Sequence, residues 1–396
     1  MLSIQAKASA EKPFLILPDV SGEALSYAEF NARVHQTAHL LHGDLGLRRG
    51  DPLALVGVVD ADTLVILCAA WVAGLTVYPA DWPPDCRVVM ASAGNVEAAL
   101  SLRGQSDAPL VIQVGGSRQG GVPYFHDLVR GLPNTFYTDE AEPKLDDAAL
   151  VVVRQADAAS RVTTTTGETY SLSMRSLLMG ALRLALAQGS LGSQRVIGTA
   201  ALNDLASLSA VILTPLLTGG SVTLLAAFDP GMFWRRVAAD RIHSAVLSPA
   251  QIDACIAHAQ AQWAAGRSIF GEGIYQQDVR GFRHVLSAGL TREQAADFSA
   301  AYGVPILHGY CDAALGGFVC LLPLDLDWVE QQRWLTSGSQ PSVGVPLAGV
   351  AVDAMPPGEH GTLRFRAGDI ETHVAGSCAV DAGGRAFYFV EAKAGG

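Results

Sequence analysis

Residues 25–81 read LSYAEFNARVHQTAHLLHGDLGLRRGDPLALVGVVDADTLVILCAAWVAGLTVYPAD, and the periodicity of this stretch decides the fold class. Ser26 stands three residues before Glu29 in the form of a capping box, and Phe30, Val34, Ala38 and Leu41 follow at helical spacing, so a helix is expected over 26–41. After Gly50 and Asp51, the apolar run 53–59 reads as a strand, 62–73 as a buried helix and 76–79 as a short strand. Strand, helix and strand at this spacing form one βαβ unit of a mostly parallel sheet.

The same alternation recurs downstream as strand 150–153, a helix after Met174, a helix over 205–217, strand 221–226, helix 232–239 and strand 244–247. From about Ser342 the texture changes to short strands separated by glycine and proline, such as 361–365 and 385–390. The expected fold is α/β, with layered, mostly parallel sheets flanked by helices in two pseudo-related subdomains and a small C-terminal β-barrel-like subdomain. The approximate divisions are 1–190, 191–335 and 336–396.

Aspartate and glutamate outnumber lysine and arginine by 38 to 27 in the 396-residue chain, and the formal charge of −11 excludes a phosphate-tracking surface for nucleic acid. Cys68, Cys86, Cys255, Cys311, Cys320 and Cys378 show no CxxC spacing, which argues against both a zinc site and a secreted disulfide framework. The opening MLSIQAKASAEKPF has no apolar core of signal-peptide length, so a cytoplasmic setting is expected. The uncharged stretches 63–80 and 205–228 approach the length of a membrane span. Gly74 and Pro79 break the first, and Pro215, Gly219 and Gly220 break the second, so each reads as buried helix, turn and strand. His35, His39 and His42 share a helix face at a spacing that could hold zinc, but no carboxylate or cysteine completes the set, and a polar helix face is expected. A serine-hydrolase elbow of the form Gly-x-Ser-x-Gly is absent from the sequence.

The stretch 25–81 resembles, element for element, the opening of the AMP-forming acyl-CoA synthetase, adenylation-domain and luciferase superfamily. Residues 216–252, 282–310 and 342–355 match further segments of that superfamily in the same order. The resemblance implies that 1–396 is the large N-terminal domain of an adenylation-type ligase. It also implies that the small C-terminal lid domain, with the family's catalytic lysine, is missing.

The chemistry implied is attack of a carboxylate on the α-phosphorus of MgATP, which requires donors around the phosphates, a metal ligand, a ribose anchor and an adenine slot. The family's phosphate loop, rich in Ser, Thr and Gly and ending in Pro-Lys, corresponds here to a string containing Thr165, Thr166 and Gly167. In that register one glycine is lost and Pro-Lys becomes Thr169-Tyr170; a second register places the loop at 154–160. The threonines also read as a hairpin strand with Gly167 in the turn. The family's Tyr-Gly-x-Thr-Glu becomes Tyr310-Cys311-Asp312-Ala313-Ala314, in which Tyr310 can stack on a base while Ala313 and Ala314 supply neither hydroxyl nor carboxylate. Asp312 is offset by two residues, and reads either as a displaced metal ligand or as a solvated turn carboxylate.

The glycine pair before the adenine slot becomes Ala288-Gly289. The ribose-gripping aspartate becomes Ser377, and the hinge becomes Glu391-Ala392. Gly368-Asp369 is a second candidate for the ribose anchor, at a spacing too long for the family. His308 and Gly309 stand where the substrate pocket meets the adenine slot.

The resemblance therefore implies a degenerate adenylation-like protein with no intact catalytic residue, no metal site and no cofactor of its own. Such a protein would be kept for its pocket or surface in acyl or aryl secondary metabolism, with a carrier protein, an intact ligase or a second copy of itself as partner. The alternatives are an ATP- and magnesium-using acyl or aryl ligase completed by a C-terminal domain in trans, and a purely structural interaction subunit.

Overall fold

Ser26 caps the helix Tyr27–His39: its hydroxyl accepts from the Glu29 N–H, and the Glu29 carboxylate accepts from the Ser26 N–H. Each of these bonds satisfies an N–H that the first helical turn would otherwise leave unpaired. Tyr27 and Phe30 then turn inward and pack on Phe14, each with ring centroids 4.9 Å apart. The computed structural model describes residues 2–18, 23–57, 59–79, 82–101, 108–137, 143–153, 169–189, 194–353 and 356–391.

The βαβ unit read from the sequence is present as strand Pro52–Val56, helix Ala61–Val72 and strand Thr76–Tyr78, with Leu53 paired in parallel to Val77. Asp60 caps the helix through the Thr63 N–H. Almost every residue of that helix is buried, which explains the unbroken apolar run. The sheet runs, edge to edge, Leu110–Val114, Val88–Ser92, Pro52–Val56, Thr76–Tyr78, Ala148–Val153 and Thr169–Ser173. All of its pairings are parallel except the last, an antiparallel pair.

The chain divides into two compact units, one of Met1–Phe14, Ala24–Leu177 and Ala201–Asn203, the other of Leu15–Glu23, Leu178–Ala200 and Asp204–Gly396. The main sheet of the second unit runs Val345–Pro346, Gly317–Leu321, Ile306–Asp312, His284–Ala288, Ser244–Val246, Arg195–Gly198, Ser221–Leu224 and Pro13–Leu17. It is parallel from His284–Ala288 outward in both directions until the antiparallel partners of Ile306–Asp312 are reached. Its core gathers around Trp234, whose ring lies 4.9 Å from Phe270 and 4.6 Å from Tyr302.

The C-terminal sheet is antiparallel and four-stranded, in the order Ala351–Asp353, His360–Ala367, Ile370–Val380 and Ala386–Val390. Trp334, on the helix Trp328–Thr336, stacks on Phe387 at 3.9 Å with the ring planes 7° apart. The layered α/β architecture with a small curled β subdomain is therefore the observed one.

One local expectation is corrected. The segment expected as one helix over 205–217 is a short helix Leu205–Ser207, a π-helical turn Leu208–Leu213 and a helix Thr214–Thr218. Pro215 has no N–H to give to the preceding turn, and the chain widens ahead of it. Ser377, matched to the family's ribose anchor, lies within the long strand Ile370–Val380. Gly376 is required within it: a Cβ there would stand 2.2 Å from the Phe389 carbonyl oxygen. Among the described residues no helix is long and apolar enough to cross a membrane.

Candidate functional site

The strand Ile306–Asp312 carries four of the sequence-selected residues, His308, Gly309, Tyr310 and Asp312. Gly309 pairs with Ala288, and a Cβ at Gly309 would lie 2.6 Å from the Cys320 carbonyl oxygen, so the neighbouring strand reaches the backbone only because no side chain intervenes. Beyond Ala288 the chain turns at Gly289, with φ of 72°, into the capped helix Arg292–Tyr302. Ala288, Gly289, His308 and Gly309 are thus neighbours at one end of the sheet.

His308 is buried, and both ring nitrogens are engaged inside the protein. Nε2 accepts from the Leu290 N–H at 3.2 Å, which assigns the proton to Nδ1, and Nδ1 donates to the Ser342 carbonyl at 2.9 Å. Burial pushes its pKa down to about 4, against the raising effect of the Ser342 carbonyl, so the ring is neutral at pH 7. Its polar atoms tie the strand to Leu290 and Ser342.

Asp312 departs from one of the two readings made of it. It is buried, not a solvated turn carboxylate, and three donors converge on it. The Leu315 N–H donates to Oδ1 at 3.2 Å, and the hydroxyls of Tyr310 and Thr372 each donate to Oδ2 at 3.0 Å. A buried carboxylate is tolerated because its charge is met by hydrogen bonds. Thr372 comes from the C-terminal sheet, so Asp312 clips that sheet to the Tyr310 strand. The Tyr310 ring also lies 5.5 Å from that of Phe365 on the same sheet.

The register slips at a bulge between Tyr310 and Cys311, and the strand ends in a turn holding Ala313 and Ala314, both half-buried. That turn is held from outside. Gly180 lies against Gly316, where a Cβ would be 2.2 Å from the carbonyl oxygen, and Arg183 donates to the Leu315 carbonyl at 3.2 Å. Thr372, Phe365, Gly180 and Arg183 were missed by sequence reasoning. Nothing local distinguishes them, since each matters through a partner distant in the chain.

Ser377 sits on the same strand as Thr372 and pairs with Phe389. Five residues of strand separate the two, roughly 16 Å at about 3.3 Å per residue, so Ser377 is not brought to Asp312 and Tyr310. Asp369 is exposed in the two-residue turn between Ala367 and Ile370, where Gly368 takes the positive φ of 61° that such a turn demands. Thr165, Thr166 and Gly167, the alternative register 154–160 and Ala392 lie outside the described residues. Just past them Tyr170 pairs with Val152 in antiparallel register.

The histidine face has its own occupants. His35 Nδ1 accepts from the Phe136 N–H at 3.0 Å, His39 Nε2 meets the Thr135 carbonyl at 2.6 Å and His42 Nδ1 meets the Leu47 carbonyl at 3.2 Å. Among the described residues no three His, Cys, Asp or Glu side chains gather as a metal-holding set.

A family model described as AMP-binding enzyme matches residues 2–369. The chain belongs to this AMP-binding family. Feruloyl-CoA synthases of an Amycolatopsis and a Streptomyces species are each 26% identical to it over 357 residues, covering 86% of this chain. The match covers 65% of the length of those relatives. A crystal structure of an anthranilate CoA ligase in complex with anthranoyl-AMP superposes on 98% of the chain and 75% of its own, with a TM-score of 0.77 at 16% identity. The N-terminal domain of FACL13 from Mycobacterium tuberculosis is matched over 98% of its own length, with a TM-score of 0.74 at 15% identity. This family member is therefore acyl- or aryl-CoA ligase-like in sequence and in fold.

Proposed function

We propose that this AMP-binding family member is a degenerate adenylation scaffold, unable to form acyl-adenylates alone and kept as a binding or partner subunit in acyl or aryl metabolism. The observation that carries the reading is the state of Asp312, whose two oxygens already serve Leu315, Tyr310 and Thr372. The residues present do not fit a magnesium-held triphosphate. A hard cation requires oxygen ligands; the side chains of Ala313 and Ala314 supply none, and an Asp312 drawn to a metal would leave two half-buried hydroxyls and a buried amide short of an acceptor. Tyr170 in place of a lysine removes a phosphate-binding charge as well. A carrier protein, an intact ligase or a second copy of the chain is the proposed partner class, and the cytoplasm the proposed compartment.

One feature favours a second reading, an acyl or aryl ligase completed in trans by a C-terminal domain. Tyr310 retains a half-buried aromatic ring that could lie against a base. Carboxylate-dependent ATP–pyrophosphate exchange separates the two, with ferulate, anthranilate and a fatty acid as substrates. Exchange at background, with or without an added family C-terminal domain, is expected. Exchange by the chain alone overturns the proposal, and exchange that requires the added domain establishes the second reading.

A further inference from the structure

The helix Met174–Ala187 belongs to the second unit from Leu178 onward, and in that part its polarity is inverted. The one charged residue, Arg183, is buried with Ala181, Leu184 and Ala185, whereas Met179, Leu182 and Leu186 are exposed at 40%, 39% and 46%. These three follow one another at i, i+3 and i+7, which sets them in a single apolar stripe along the outer face. A helix lying between core and solvent keeps leucine inside and charge outside; one that is apolar on both faces is built to be covered on both.

The stripe ends at a hollow. Leu186 also lines a groove of about 400 Å³ in the same unit, whose other walls include Leu321, Leu322, Leu324, Pro346 and Leu347. Leu324, at 44% exposed, continues the apolar surface outward. One face of this unit therefore carries a raised apolar row and, at the row's C-terminal end, an apolar groove. Its charges are engaged within the chain. Arg183 NH1 donates to the Leu315 carbonyl at 3.2 Å, and both oxygens of Asp325, the carboxylate of the lining, accept from Arg385 NH1 at 3.0 and 3.1 Å.

We propose that this face pairs two copies of the chain about a two-fold axis, with the helices Met174–Ala187 antiparallel and Leu182 beside the axis. A two-fold interface uses the same patch on both partners and must therefore complement itself. Row and groove side by side meet that condition. Antiparallel pairing about Leu182 sets Met179 of each copy against the partner's Leu186 and its groove, so each row closes the other's hollow. The alternation of three- and four-residue steps is that of a helix-pairing seam, and methionine, long and unbranched, suits an irregular gap. Charge selects the occupant. Each copy carries a formal charge of −11, so two copies meet closely only through a face whose charges are already paired, as they are here. A partner recognised by its charge finds nothing on this face to grip. The inference rests on the partner-subunit reading above and deepens it, choosing the second copy and naming its surface.

Sedimentation velocity of the full chain across a wide range of concentrations tests this. A dimer that dissociates on dilution is expected. Leu182→Glu, at an exposed position, sets two carboxylates face to face at the axis and should weaken the dimer by about a hundredfold or more. Leu182→Lys should do the same with two ammonium groups. Because the position faces its own copy, mixing the two variants restores a dimer with Glu opposite Lys, a result that misfolded variants cannot give. A dimer indifferent to both substitutions, or a mixture that stays monomeric, overturns the proposal. A parent chain monomeric at every concentration overturns it too, and flotation of that monomer with phosphatidylcholine vesicles would assign the face to lipid instead. Pyrophosphate exchange reads the degenerate site separately: a monomer without exchange contradicts the pairing alone, and a dimer with exchange contradicts the degenerate site alone.

Discussion

Asp312 illustrates how a carboxylate beside a ligand-holding position can serve architecture instead. Replacing it with alanine leaves three donors without their acceptor, and a loss of about 2–4 kcal/mol in urea denaturation is expected. Thr372→Val should cost roughly 1 kcal/mol, and less again in the Asp312→Ala background, because the two share one bond. Two histidines set a pH dependence. Burial pushes both His284 and His308 down to about 4, and neither ring nitrogen of His284 has a hydrogen-bond partner among the described residues. The unfolded chain binds these protons near pH 6.5, the folded chain only near 4, so the stability they permit is full above 6.5 and is lost as pH falls towards 4. The slope is at most about 1.4 kcal/mol per pH unit for each. Denaturation midpoints followed from pH 7 to 4.5 should fall accordingly, and His284→Leu should reduce the slope while keeping or raising stability at pH 7.

Gly180 sets how closely the helix Met174–Ala187 approaches the turn after Asp312. A methyl group there must displace backbone, and Gly180→Ala should cost roughly 1–3 kcal/mol by thermal or chemical denaturation, despite alanine's better helix propensity. Elements with local causes were legible in the sequence. The Ser26–Glu29 capping box, the buried helix Ala61–Val72 and its flanking strands follow from spacing and composition within a few residues. The strand Ile370–Val380 was not legible, because Gly376 reads as a breaker until the strand carrying Phe389 is known to press against it. The Asp312–Thr372 bond joins residues 60 apart, and no local pattern announces such a contact. The resemblance singled out Tyr310 and Asp312 from sequence by their register. What it could not supply was the burial of Asp312, which depends on a sheet that folds over it.

For the molecule as a whole, the family match over residues 2–369 and the superposition on ligase structures describe a retained scaffold. Helix caps, close-approach glycines and sheet order belong to that scaffold, and they are satisfied. On the proposed reading, the positions that would meet phosphate, metal and ribose carry alanine, tyrosine and serine, or an aspartate bound into the fold. Adenylation chemistry needs charge stabilisation at the transferring phosphorus, and the proposed function holds that this scaffold does not provide it. Magnesium dependence is therefore the sharpest discriminator. Isothermal titration of the chain with ATP, in magnesium and again in EDTA, should show no magnesium-dependent heat, with any residual binding weak and equal in the two buffers. A tight isotherm that appears with magnesium and vanishes in EDTA would contradict a degenerate site.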